Sequence, residues 1–171
     1  MSKQVIIKGM KNIKNIIPQQ LPVDRKNIDT IKTDKYQENQ EEIIRNMYMD
    51  IDFDGKKDVT SMIKTKLDSY KQQDKKHEIY SKDHFISLQN TIEKLLESKM
   101  KCKYCKKNML LAYSKIREPM QWTLDRIDND YGHNTNNVLI SCLECNLKRR
   151  NINMEKFLFT KQLKINKIDK A

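Results

Sequence analysis

Residues 122–150, WTLDRIDNDYGHNTNNVLISCLECNLKRR, carry most of the structural information in the chain. The β-type residues at 122–124 and 138–141 predict two short strands. The polar, glycine-containing segment 128–137 predicts the loop between them. Residues 143–150 then favour a short helix. The stretch therefore predicts two strands joined by a long loop and followed by a helix.

All the cysteines of the chain lie in or near this stretch. They form two Cys-x-x-Cys pairs, Cys102 with Cys105 and Cys142 with Cys145. Zn²⁺ prefers four tetrahedral ligands, so the pattern predicts a structural zinc ion with no open position for a substrate. A unit of about 50 residues has too small a core to fold alone, and zinc would be its main stabilising element. Disulfides, unrelated thiols and a redox pair are the alternatives.

The charge of the chain is concentrated in the same part. The 171 residues carry a formal net charge of +11. Residues 101–171 hold 15 basic and 7 acidic side chains, whereas residues 1–100 hold 19 and 16. This asymmetry favours a polyanion as partner, with nucleic acid first and an acidic membrane surface second. There is neither an apolar run of about 18 residues nor a secretory signal pattern, so we expect a soluble intracellular protein of the cytoplasm, nucleus or nucleoid.

The remainder of the chain predicts an α+β protein in which helices precede the cysteine-rich part. Apolar residues spaced by three and four predict amphipathic helices at about 37–51, 59–75 and 83–99. Residues 1–37 show no sustained period and contain two prolines, which predicts a flexible basic arm. The predicted organisation is this arm at 1–37, a helical region at 38–99, a zinc module at 100–152, and a C-terminal helix with a tail at 153–171.

Several polar residues of the module stand in a distinctive order. Asp125 ends the first predicted strand, Asn137 precedes Val-Leu-Ile, and Asn146 and Lys148 follow the second cysteine pair. With the cysteines, residues 100–152 resemble the HNH (ββα-metal) endonucleases, which include endonuclease VII-like resolvases, homing enzymes and restriction enzymes. The resemblance implies a zinc-stapled ββα-metal module. It also implies metal-dependent hydrolysis of DNA that leaves a 5′-phosphate and a 3′-hydroxyl.

The resemblance also implies roles for individual residues. Asp125 and Asn146 would bind a catalytic Mg²⁺ or Mn²⁺, for which carboxylate and amide oxygens are suitable ligands. Asn137 would brace the loop that carries the general base. Where the family usually has its catalytic histidine, this chain has Arg126, which cannot act as a base. Arg126 would instead grip a phosphate or pair with Asp128 to shape the loop.

The candidate for the general base is His133. It follows Gly132 and is the only histidine of the module. The pKa of histidine suits it to activating water, so we predict that His133 is the base or a metal ligand. A role in shaping the loop is the alternative. Tyr131 and Tyr113 are further candidates for polarising or attacking the phosphate.

Three successive cations, Lys148, Arg149 and Arg150, follow the second cysteine pair. We predict that they contact backbone phosphates, with a solvated basic face as the alternative. The partner implied is DNA, duplex or branched; RNA as a partner and a homodimer of this chain stay open. Two functions compete with the nuclease. One is a non-catalytic zinc-bearing module that binds nucleic acid, and the other is a packaging protein whose basic surface neutralises it.

Overall fold

The computed structural model describes residues 36–163. The predicted arm lies outside the described residues except for its last two, and so does the tail beyond residue 163. Tyr36 is buried, and Gln37 Nε2 donates a hydrogen bond to the carbonyl oxygen of Ala112 at 3.1 Å. These two residues therefore belong to the folded part of the chain and not to an arm.

In the part of the chain from residue 40 to the cysteines, three helices form, as the apolar spacing predicts. They are α1 (Gln40–Tyr48), α2 (Lys56–Lys76) and α3 (Leu88–Ser98). Helix α3 begins five residues later than predicted because Ser87 caps it, its hydroxyl accepting a hydrogen bond from Asn90 N at 3.1 Å. The preceding residue, Ile86, donates its backbone N–H to the carbonyl oxygen of His133 at 2.9 Å. The segment before α3 is therefore held by the module and does not extend the helix.

A small antiparallel sheet forms the centre of the module. Its strands are β1 (Trp122–Arg126) and β2 (Val138–Cys142), and Asp125 lies opposite Leu139. Helix α4 (Leu143–Arg149) follows β2 directly, and α5 (Met154–Gln162) ends the described chain. The predicted strands and the two helices are confirmed, and the mixture of helices with a two-stranded sheet makes the fold α+β. Within residues 36–163, no helix is both long and apolar enough to span a membrane.

The helices and the sheet share one hydrophobic core. Its largest fully buried side chain is that of Trp122 on β1. Helix α2 lies against this strand: Leu124 N donates to the hydroxyl oxygen of Tyr70 at 3.1 Å, and the Lys66 ammonium lies 4.4 Å from the centre of the Trp122 indole. Buried residues of α1 and α3 belong to the same cluster. The helical region and the predicted zinc module thus stabilise each other and are not separately packed.

Candidate functional site

The two cysteine pairs meet in one cluster. Their four Sγ atoms lie within 4.8 Å of one another, and those of Cys105 and Cys142 are 3.9 Å apart. Four sulfurs at ~2.3 Å from a tetrahedral zinc ion would be about 3.8 Å from each other. All four thiols are free, and only Cys105 is more than slightly exposed. The cluster could therefore hold a metal ion such as zinc.

Backbone hydrogen bonds hold the first cysteine pair against β2. Lys106 N donates to the carbonyl oxygen of Cys102 at 3.0 Å and closes a tight turn. Lys103 N donates to the carbonyl oxygen of Ile140 at 3.1 Å, which places this turn beside the end of the strand. Cys142 is the last residue of β2, so the strand itself delivers the second pair. The sheet and the turn thus bring together sulfurs that are distant in sequence.

The thiols of the cluster do not ionise alike. A hydrogen bond with Cys142 lowers the pKa of Cys102 to about 4, and the same bond raises the pKa of Cys142. Burial raises the pKa of Cys145 to about 12. The Cys102 thiolate is thus stabilised by a hydrogen bond from the Cys142 thiol, which keeps its proton. A bound dication would compensate further negative charge and allow the remaining thiols to ionise.

His133 is buried and bound to a carboxylate from another part of the chain. Its Nδ1 lies 2.7 Å from Asp74 Oδ1, and its backbone N–H donates to Asp74 Oδ2 at 2.6 Å. Asp74 is on α2 and is 1% exposed. The ring of His133 also packs on that of Tyr70, with the ring centres 4.4 Å apart. His133 is therefore fixed from two sides by α2.

The surroundings of His133 determine its protonation. Burial lowers its pKa, and the hydrogen bond and negative charge of Asp74 oppose this effect only in part. Near neutral pH the ring is therefore neutral, with its proton on the nitrogen that faces the carboxylate. Within residues 36–163, Nε2 has no hydrogen-bond partner. The lone pair of Nε2 is thus available to accept a proton.

Gly132 permits this contact between the loop and α2. A Cβ atom at this position would lie 2.6 Å from the carbonyl oxygen of Ile79 and 2.7 Å from Asp74 Oδ2. Both distances are far below van der Waals contact. The glycine predicted as part of the loop is thus needed because the backbone approaches α2 closely.

Asp125 is buried and its carboxylate is fully engaged. Its Oδ2 accepts a hydrogen bond from the Tyr104 hydroxyl at 2.6 Å and from Arg149 Nε at 2.9 Å, and its Oδ1 accepts one from Arg149 Nη2 at 2.9 Å. Burial raises the pKa of Tyr104, which keeps its hydroxyl a donor. In this arrangement the carboxylate does not fit as a magnesium ligand, because protein donors already occupy its oxygens.

The other predicted metal ligand, Asn146, lies against the same strand. Its Nδ2 donates to Thr123 Oγ1 at 3.1 Å and to the carbonyl oxygen of Leu124 at 3.4 Å. The α4 side chain that contacts Asp125 is that of Arg149, about one turn further on. The structure thus brings Asn146 to the strand of Asp125 but places an arginine next to the carboxylate.

Two side chains tie the loop between the strands. Asn137 Oδ1 accepts from Asp128 N at 3.0 Å, and its Nδ2 donates to the carbonyl oxygens of Asp128 and Gly132 at 2.8 and 3.0 Å. Arg126 Nη1 donates to the carbonyl oxygen of Asn129 at 3.2 Å. Asn137 therefore braces the loop immediately before His133. Arg126 shapes the loop through a backbone carbonyl and not through the carboxylate of Asp128.

The two tyrosines considered as alternatives to His133 lie in different places. Tyr131 is in the loop and is 61% exposed, and its carbonyl oxygen accepts from Arg126 Nη1 at 3.3 Å. Tyr113 is half-buried, with the Lys66 ammonium 4.9 Å from the centre of its ring. Tyr113 thus packs on the side of α2 that covers Trp122, and Tyr131 is open to solvent.

The three predicted phosphate contacts differ in their environment. Arg149 is 2% exposed and bound to Asp125, so in this structure it is not available to a phosphate. Lys148 is exposed but forms an ion pair with Glu144 at 2.5 Å. Arg150 is exposed, and within residues 36–163 it has no ion pair. The basic surface predicted on α4 is therefore smaller than its sequence indicates.

No protein-family model, no curated protein and no solved structure matches the chain. The motif order in residues 100–152 thus remains a resemblance, and the function has to be inferred from the residues and their contacts. The structure adds one residue that sequence reasoning missed, Asp74. A signal for it exists, because the buried residues Val59, Ile63, Leu67, Tyr70 and Asp74 follow one face of α2. A carboxylate in that row needs a buried partner.

Proposed function

We propose that the chain is a metal-dependent endonuclease that hydrolyses DNA phosphodiester bonds with His133 as general base. The observation that carries the proposal is the position of His133, which is buried with its Nδ1 2.7 Å from Asp74 Oδ1. Its ring is neutral near neutral pH, Asp74 holds its Nδ1, and the lone pair of Nε2 is available. A general base must be deprotonated at the working pH and held in a fixed orientation. His133 meets both requirements.

The arrangement around His133 supports the same assignment. Two antiparallel strands followed by a helix occur in the order that the ββα-metal resemblance implies. Asn137 fixes the loop that presents His133, and Arg126 holds the other end of that loop. The cysteine cluster fixes the last residue of β2 and the start of α4. The base therefore sits on a loop whose two ends are both immobilised.

The chemistry follows from these positions. Nε2 of His133 takes a proton from a water molecule, whose oxygen attacks the phosphorus. The bond between phosphorus and the 3′ oxygen breaks, and that oxygen takes a proton from a solvent water molecule, which leaves a 5′-phosphate and a 3′-hydroxyl. A Mg²⁺ or Mn²⁺ ion, when bound, would stabilise negative charge on the phosphate and the leaving oxygen as a Lewis acid. By resemblance, Asn146 and Asp125 would bind it. Binding at Asp125 would require that Arg149 release the carboxylate.

The ion pair between Arg149 and Asp125 favours a second candidate function. If Arg149 and Tyr104 stay bound to the Asp125 carboxylate, the module binds no catalytic cation there. The chain would then be a zinc-bearing module that binds nucleic acid without cleaving it. The two candidates differ only in cleavage, so one assay separates them.

That assay is nicking of supercoiled plasmid by the zinc-loaded chain, with Mg²⁺ or Mn²⁺ added or omitted, and with DNA affinity measured in parallel. We expect nicking only with the added cation. His133→Ala should lose about 10²–10⁴ in rate with affinity unchanged. His77→Ala, which removes an exposed histidine of α2's C-terminal end, is the matched control and should cleave like the wild type.

A second variant tests the cation. Asn146→Ala should raise the Mg²⁺ concentration that half-maximal nicking requires, because it removes an oxygen ligand. DNA binding without nicking under every cation condition would reject the endonuclease and leave the binding module. Nicking that is unchanged in His133→Ala would reject His133 as the base.

A further inference from the structure

A basic cleft lies beside the first cysteine pair, and its lining includes no residue of α4. It has a volume of about 490 Å³ and is formed by the end of α3, the first cysteine turn and β2. Four lysines line it, namely Lys94, Lys101, Lys103 and Lys106. The one carboxylate in its lining is that of Glu97. The cleft therefore has a strong positive excess in a small space.

The cleft lysines are not neutralised by the protein. Lys101, Lys103 and Lys106 are exposed, and Lys94 is half-buried. Within residues 36–163, none of the four cleft lysines forms an ion pair with a carboxylate. Like charges that line one cleft repel one another, and a polyanion would relieve the repulsion.

The backbone that carries these lysines is fixed before any partner arrives. Lys103 lies between the two cysteines of the first pair, and Lys106 follows the second of them. Their backbone N–H groups make the hydrogen bonds to Ile140 and Cys102 that hold the turn on β2. The cysteine cluster thus presents the ammonium groups from a rigid turn, so less conformational entropy is lost on binding.

The cations of α4 differ from the cleft lysines in their ion pairing. Arg149 is buried and Lys148 is paired, whereas the cleft lysines are free of carboxylate partners. Of these two surfaces, the one at the first cysteine turn therefore has more positive charge without a carboxylate partner.

We propose that this cleft binds the phosphate backbone of nucleic acid. Lysine is a compact charge that pairs with phosphate without reading the bases, so the contact would be independent of sequence. Successive phosphates of a duplex supply closely spaced negative charges, which match several ammonium groups on one turn. The inference shares the nucleic-acid partner with the proposed endonuclease but does not require cleavage.

The test compares two triple variants with the same loss of charge. The cleft variant is Lys101→Gln/Lys103→Gln/Lys106→Gln. The control is Lys57→Gln/Lys64→Gln/Lys76→Gln, three exposed lysines of α2. Affinity for a labelled DNA duplex is measured by fluorescence anisotropy between about 50 and 200 mM salt, with zinc present and magnesium absent.

Each phosphate contact contributes about 0.9 to the slope of log K against log salt. The cleft variant should therefore lose about 2–3 from the slope, and the control should keep the wild-type slope. Equal slopes in the two variants would overturn the proposal, as would tighter binding of polyglutamate than of the duplex, which would identify an acidic protein as partner. Lys101→Gln and Lys106→Gln alone, each with an expected loss of about 0.9, preserve the test if the triple variant does not fold.

The outcome is separable from that of the plasmid assay. The anisotropy assay contains no magnesium and therefore measures binding alone. A chain that binds through the cleft but does not nick plasmid with Mg²⁺ or Mn²⁺ would reject the endonuclease and keep the cleft. A chain that nicks but shows equal slopes would reject the cleft and keep the endonuclease.

Discussion

The cysteine cluster and the His133–Asp74 pair are both buried polar sites, but the chain builds them in different ways. The cluster takes its ligands from two short motifs at the ends of one structural unit. The pair joins a loop of the module to a helix, across 59 positions of sequence. A metal ion bound at the first site would hold the module together, whereas the second site attaches the module to the helical region. Each can be broken separately, and the consequences should differ.

The largest expected effect is that of Cys142→Ser. Structural zinc contributes an apparent ~10–16 kcal/mol in small peptide sites, which exceeds or equals the stability of most domains, ~5–15 kcal/mol. Because helices and sheet share one core, loss of zinc should unfold the helices as well as the module. Zinc content should fall from about one ion per chain, with loss of helical circular dichroism. The wild type treated with a chelator should behave in the same way, and a variant that keeps its helices would show that the two regions are independent.

Asp74→Ala should have the next largest effect. It leaves the ring N–H and the backbone N–H of His133 without an acceptor in the interior, at about 1–3 kcal/mol each. Urea unfolding should show a loss of about 2–6 kcal/mol. Asp68→Ala, on the exposed part of the same helix, is the control and should change stability by less than about 0.5 kcal/mol. Equal effects of the two substitutions would mean that Asp74 does not hold the loop.

Gly132→Ala tests the close approach itself. The added Cβ would overlap the carbonyl oxygen of Ile79 and Asp74 Oδ2, and the loop would have to move. We expect a loss of about 1–3 kcal/mol, as for other overpacked sites, measured by thermal unfolding. In a Gly132→Ala/Asp74→Ala double variant the two losses should not be additive, since both disturb one contact. Strict additivity would place the two residues in separate interactions.

The smallest expected effect is on the pH dependence of stability. Burial lowers the pKa of His133 in the folded chain below its ordinary value of about 6.5. As the pH falls below that value, the unfolded chain binds a proton that the folded chain does not, so the free energy of unfolding falls. His133→Gln should lack this part of the pH dependence in urea unfolding at a series of pH values. Identical pH dependence in variant and wild type would contradict a lowered pKa.

The same comparison shows what a sequence can predict. The cysteine spacing identifies the cluster because zinc imposes four ligands and the pairs lie in recognisable motifs. The helices and strands follow from the period of their apolar residues. The partners of His133 and Asp125 cannot be predicted from this period, because they depend on how α2 and α4 pack on β1. Asp74 continues the buried row of α2, which calls for a partner without identifying it, and Arg149 is one of three successive cations that the sequence assigns to phosphates.

Packing across the predicted boundary near residue 100 has a related explanation. A change of composition near residue 100 suggests two units, yet Trp122 and Tyr70 belong to one core. Composition describes the local chain, whereas a core is formed by residues distant in sequence. The contribution of α2 to the candidate site becomes visible only when the elements are packed.

The state of His133 is the claim on which the proposed function depends, and nitrogen-15 NMR of the histidine rings tests it most directly. His133→Gln assigns the signal, and the protein is observed near neutral pH and through a titration to lower pH. The structure predicts a neutral ring with its proton on Nδ1, which Asp74 accepts, and an apparent pKa below about 6.5. Asp74→Asn should lower that pKa further, because the carboxylate is what raises it. A charged ring near neutral pH, or a proton on Nε2, would contradict the assignment of His133 as the base.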